Sequence, residues 1–119
     1  KNSLNLAIQQ AQVGNRISQI SKVFQKTIEE GGYNVSRDLV GHGIGKKVWE
    51  EPQILNFYDP DFDDPIIKIG QLLAIEIMYM KGNFELDFKK DSIDTKDKSL
   101  SAQFEHTVLV TPNGPRIIA

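Results

Sequence analysis

The sequence contains no cysteine. That excludes a disulfide framework, a thiol nucleophile and a thiolate metal site, so any bound metal must use nitrogen and oxygen donors. No apolar run approaches the ~18 residues that span a bilayer, and no signal-peptide pattern opens the chain, so a cytoplasmic protein is expected with no membrane partner. Basic residues show no excess. Lys and Arg number 14 against 16 Asp and Glu, a net charge of −2, which argues against the basic face of a nucleic-acid binder. G-x-S-x-G and HExxH are both absent, which removes the serine-hydrolase elbow and the zincin helix. Repeats, linkers and low-complexity tracts are missing too. At 119 residues the chain is one domain at most, long enough to bury a core.

What is present reads as a helix-rich first third followed by strands, an α+β pattern. Leu4 to Ala11 reads as a short helix that Gly14-Asn15 interrupts, with Asn15 placed to cap the next one. Ile17, Ile20, Val23, Phe24 and Ile28 recur at helical spacing, and Gly31-Gly32 ends that helix. Asp59 to Pro65 lacks the central glycine and twelfth-position glutamate of a calcium loop, so it reads as a solvated turn. Leu72–Met80, Asn83–Phe88, Ser101–Thr111 and Pro115–Ile118 are the predicted later strands, with a turn at Pro112-Asn113-Gly114.

Three residues could carry chemistry. Glu76 is the one ionisable group in the apolar strand Leu72–Met80 and shares a face with Leu72, Ala74, Met78 and Met80. A buried carboxylate stays protonated or acquires a partner; either a metal ion or an Arg or Lys would serve. Glu105 stands on one strand face with Gln103, Thr107 and Leu109, while Phe104, His106, Val108 and Val110 point the other way. Glu105 is therefore the ligand candidate, and His106 an outer supporting or structural residue. His42 lies in GHGIG, where glycine permits close backbone approach or positive φ. That stretch matches neither the dinucleotide fingerprint nor a phosphate loop, and a glycine-rich turn holding an incidental histidine is its bland alternative. One His and two Glu make a hard-metal set for Mn, Fe, Co or Zn.

Together, GHGIGKKVWEEPQIL, the IE of LLAIEIM and TKDKSLSAQFEHTVLVTPNGP resemble the C-terminal half of the type I methionine aminopeptidases. Order and spacing agree over nearly the whole chain, and SLSAQ-aromatic-EHT separates this family from prolidases and aminopeptidase P, its relatives of the same pita-bread fold. The resemblance implies a curved, mixed or antiparallel sheet packed against helices, with two divalent metal ions (Mn, Co, Fe or Zn). It also implies removal of N-terminal methionine from nascent peptides. His42, Glu76 and Glu105 match metal ligands, and Glu76 also matches the proton-shuttling carboxylate. The family's two aspartate ligands and one substrate-contacting histidine belong to an N-terminal half that nothing here matches. The chain is therefore expected to be a partial catalytic domain over residues 1–119, completed by that half or by a homodimer.

Substrate-contacting positions depart from the family pattern. Trp49 takes the place of the histidine in F-H-E-E-P, Val48 that of an aromatic, and Asp91 falls near a pocket tryptophan. Ile77 replaces the proline of I-E-P-M. Trp49 is accordingly the expected substrate-binding residue. A non-catalytic pita-bread relative that binds peptides or proteins is the alternative.

Overall fold

A computed structural model describes residues 2–119. Helices α1 (Asn2–Ile8) and α2 (Ile17–Glu30) lead into β1 (Asn34–Val35), β2 (Val40–Gly43) and β3 (Glu50–Leu55). Strands β4 (Leu72–Met80), β5 (Leu86–Phe88), β6 (Ile93–Thr95), β7 (Ser101–Thr111) and β8 (Gly114–Ile117) follow. The main sheet runs β3-β2-β4-β7-β8, every neighbour antiparallel, with β1 joined to the far end of β4. The expected α+β class holds, and the sheet is antiparallel throughout.

Period-two alternation divides the sheet into two chemistries. Leu73, Ile75 and Ile77 of β4, Val108 and Val110 of β7 and Ile54 of β3 face the helices. There they meet Leu4, Ala7 and Ile8 of α1 and Ile20, Phe24 and Ile28 of α2 in one buried cluster. The opposite face carries His42, Glu76, Gln103 and Glu105. Burying Phe24 and Ile20 completely stabilises the helix–sheet contact by about 1.5–3 kcal/mol per side chain.

The start of α2 differs from expectation. Arg16, not Asn15, is the extended residue before the helix, because it is held in a β-bridge to Ile66. Its backbone N–H donates to Gln19 Oε1 at 2.8 Å, while the Asn15 amide donates to the Gln10 carbonyl. The Asp64 carboxylate then accepts from the Ser18 backbone N–H at 2.8 Å and the Ser18 hydroxyl at 2.7 Å. An acceptor and a negative charge both favour a helix N-terminus, so part of the acidic turn is a cap supplied from 46 residues away. Asp64→Ala should therefore cost about 1 kcal/mol, read as a fall of a few degrees in melting temperature. An unchanged melt would return the loop to a merely solvated role.

The predicted strand Asn83–Phe88 is also corrected. Only Leu86–Phe88 pairs, in a separate two-stranded ribbon with β6. Asn83 takes part in a turn instead: its N–H donates to Asp97 Oδ2, and its side-chain oxygen accepts from the Glu85 N–H. Alternation alone did not provide a neighbour to pair with.

Candidate metal centre

Close approach of β2 to β4 builds the site. A Cβ on Gly41 would lie 2.6 Å from the Ala74 carbonyl oxygen and 3.2 Å from the Glu76 amide nitrogen. One on Gly43 would lie 2.3 Å from the Glu51 carbonyl oxygen. Neither glycine is among those with positive φ, so both serve proximity rather than backbone freedom. His42, between them, pairs with Ala74 on one side and Gln53 on the other. The β2–β3 register slips just after His42, so that Gly43 pairs with Glu50.

The histidine's tautomer follows from its neighbour. Nδ1 lies 2.8 Å from the Gly43 carbonyl oxygen, an atom that only accepts, so Nδ1 carries the proton. Nε2 is left facing Glu76 Oε1 at 3.1 Å. The second Glu76 oxygen accepts from the Gln103 amide at 3.2 Å. Across the strand pair, Glu76 stands directly opposite Glu105. Glu105 is exposed, whereas the Glu76 side chain keeps 21 % of its surface. Burial raises the Glu76 carboxyl above its ordinary value, and the Glu105 charge raises it further; His42 and the Gln103 hydrogen bond oppose the rise.

These features suit a cation. A histidine whose Nδ1–H is held by a carbonyl presents Nε2 as a ligand. Like charges directly opposite on a sheet repel, and a positive ion between Glu76 and Glu105 removes that cost. The set is nevertheless open: among the described residues, no three His, Cys, Asp or Glu side chains are gathered closely enough to cage an ion by themselves. Two donors converge, the third stands in register beside them, and the remaining coordination must come from elsewhere.

The other expected residues are placed as follows. Trp49 is 76 % exposed, its ring centred 5.4 Å from that of His42 and tilted by 31°. Both line a cleft of about 880 Å³ together with Lys46, Glu50, Glu76 and Gln103. His106 stands on the helix-side face, paired with Ile75, and its Nδ1–H donates to the Ala119 carbonyl at 2.9 Å. Two residues not singled out from the sequence also act here. Gln103 could have been found, since it shares the face of Glu105; Asn56, which bonds the Glu76 backbone, had no local signal.

The structure thus sets an antiparallel sheet against two helices, with one imidazole and two carboxylates on its free face. The chain belongs to metallopeptidase family M24, which it matches over residues 1–112. It is 42% identical to the methionine aminopeptidase of Clostridium perfringens over 113 residues, 93% of this chain and 45% of that protein. Identity to the Escherichia coli (strain K12) methionine aminopeptidase is also 42%, over 118 residues, 98% of this chain and 44% of that protein. The crystal structure of the Thermotoga maritima methionine aminopeptidase superposes with a TM-score of 0.91 at 40% identity, covering 98% of this chain and 47% of that one. The fold is thus the expected pita-bread arrangement. The chain spans a little under half the length of these relatives. Among the described residues, no helix is long and apolar enough to cross a membrane.

Proposed function

We propose that the chain carries His42, Glu76 and Glu105 of a dinuclear metal-dependent aminopeptidase that removes N-terminal methionine from nascent peptides in the cytoplasm. On this reading it is the C-terminal half of one catalytic domain, spanning residues 1–119. An N-terminal half, or a second copy of the chain, supplies the remaining donors. The observation that carries the proposal is the face shared by His42 Nε2, Glu76 at 3.1 Å from it, and Glu105 opposite Glu76. The names of the relatives support the substrate.

Two divalent ions, Mn, Co, Fe or Zn, would be held by these three residues and supply water activation and carbonyl polarisation. Glu76 takes and returns the proton at its carboxylate, the role its match to the family's proton-shuttling residue implies. Gln103 keeps that carboxylate turned toward His42, and the backbone carbonyl of Gly43 fixes the imidazole tautomer. Trp49, 76 % exposed, offers the cleft an apolar wall for a methionine side chain. His106, on the far face, supports the strand that bears Glu105.

The test is release of free methionine from a Met-Ala peptide in excess Mn(II) or Co(II), by the chain alone and with an N-terminal half added. Release abolished by His42→Ala supports the proposal. Absence of release in both mixtures, with metal bound, overturns it.

Trp49 favours a second reading, a non-catalytic peptide-binding module, because its indole lies over the ligand histidine. Trp49→His separates the two. An aminopeptidase should gain about tenfold in kcat/KM, equivalent to ~1.4 kcal/mol of transition-state stabilisation. Unchanged turnover beside weakened peptide binding favours the module.

A further inference from the structure

The edge of β4 that faces β1 and β2 is covered in two pieces. β2 reaches Leu73 and Ala74; β1 reaches Tyr79 and Met80, with the Ser36 N–H donating to the Met78 carbonyl at 2.9 Å. Between them, the Glu76 carbonyl and the Met78 N–H have no strand beside them. The Asn56 side chain fills this gap. Its amide N–H donates to the Glu76 carbonyl at 2.9 Å, and its oxygen accepts from the Met78 N–H at 2.9 Å. A carboxamide offers the donor and acceptor of a peptide unit, so one side chain acts as a missing residue of strand. Asn56 is 1 % exposed, so neither group has water as a substitute.

We propose that Asn56 is a positioning residue for Glu76, setting the carboxylate against His42. It directly follows β3, the strand whose Gln53 pairs with His42. One rigid connection therefore runs from the His42 hairpin through Asn56 to the backbone of Glu76. Without it, the Glu76 carbonyl and the Met78 N–H lose their tie to the hairpin, and the distance from the carboxylate to Nε2 is no longer fixed from that side. The inference rests on Glu76 being the working carboxylate of the proposed site, but it concerns geometry that exists without a metal.

The experiment is side-chain ¹⁵N NMR of His42 in the metal-free full chain at one fixed pH. Wild type is compared with Glu76→Ala, Asn56→Ala, Asn56→Asp and Asn34→Ala. Asn34 serves as the control because its amide donates to the Gly82 carbonyl, away from Glu76. The expected result is a His42 Nε2 signal in Asn56→Ala shifted most of the way to that of Glu76→Ala, with Asn34→Ala unchanged. Asn56→Asp keeps an acceptor for Met78 and puts a carboxylate oxygen where the donor to Glu76 stood, so it should shift the same signal. Loss of thermal stability in the Asn56 variants with a wild-type His42 signal would make Asn56 structural only and overturn the proposal. Identical wild-type and Glu76→Ala spectra would overturn it as well, because the contact to be positioned would not exist. Methionine release is not the readout, so failure of the aminopeptidase reading would leave this result standing.

Discussion

Glu76→Gln is expected to lower methionine release by about 10³-fold, within the range for loss of a general acid–base group, while making the metal-free chain more stable at neutral pH. The opposite directions have one cause. The carboxyl is partly buried and faces Glu105, so its proton affinity in the folded chain exceeds that in the unfolded chain. The folded state then holds more protons, and stability falls as pH rises from the ordinary carboxyl value of 4.5 through the raised one. An amide is neutral at every pH and escapes this fall. Its NH₂ donates to His42 Nε2, and its oxygen accepts from Gln103, so both existing contacts survive. Thermal melts in chelator from pH 4 to 8 should show a flatter profile for the variant and a higher neutral-pH midpoint. A lower midpoint at neutral pH would mean that the charge is compensated within the chain, and the argument for a cation would lose its footing.

The second large effect falls on the backbone. Gly41→Ala should cost about 1–3 kcal/mol, the range for overpacking. The upper end is expected, because the new methyl meets the Ala74 carbonyl at 2.6 Å rather than a side chain that can swing aside. Relief requires β2 to move off β4, which carries His42 away from Glu76. Metal affinity should therefore fall along with stability. Gly45→Ala makes the matched comparison, since the nearest atoms to its methyl would be those of the Glu50 carboxylate, at 2.5 Å. That group is flexible, and a change within about 0.5 kcal/mol is expected. Urea denaturation of the two variants checks the contrast; equal losses would show that the β2–β4 spacing is not the constraint.

The long strands were legible because their patterns are local. Leu72–Met80 is apolar almost throughout, and Ser101–Thr111 alternates, so both limits match the folded strands. Period two also placed Glu105 and His106 on opposite faces, as the pairing of His106 with the buried Ile75 requires. Register was a different matter. Alternation tells which side of a sheet a residue occupies, not which residue it meets, so Glu76 opposite Glu105 could not be read from spacing. The Asp64 cap on α2 and the Asn56 bridge to β4 join residues 46 and 20 positions apart, and no local signal marks either. At Asn83–Phe88 the opposite error arose: alternation was present, but the asparagine's own hydrogen bonds made a turn.

Because the apolar cluster lies on the helix side of the sheet and the polar set on the other, Glu76 and its odd-numbered neighbours on β4 answer to different demands. On β4 the odd residues Leu73, Ile75 and Ile77 secure folding, whereas the Glu76 charge between them opposes it at neutral pH. The exposed side chains of the cleft, Trp49 above all, can be exchanged without disturbing the packed layer. A lineage carrying this scaffold is thus free to rewrite what the cleft accepts, one surface residue at a time, with folding left intact at each step.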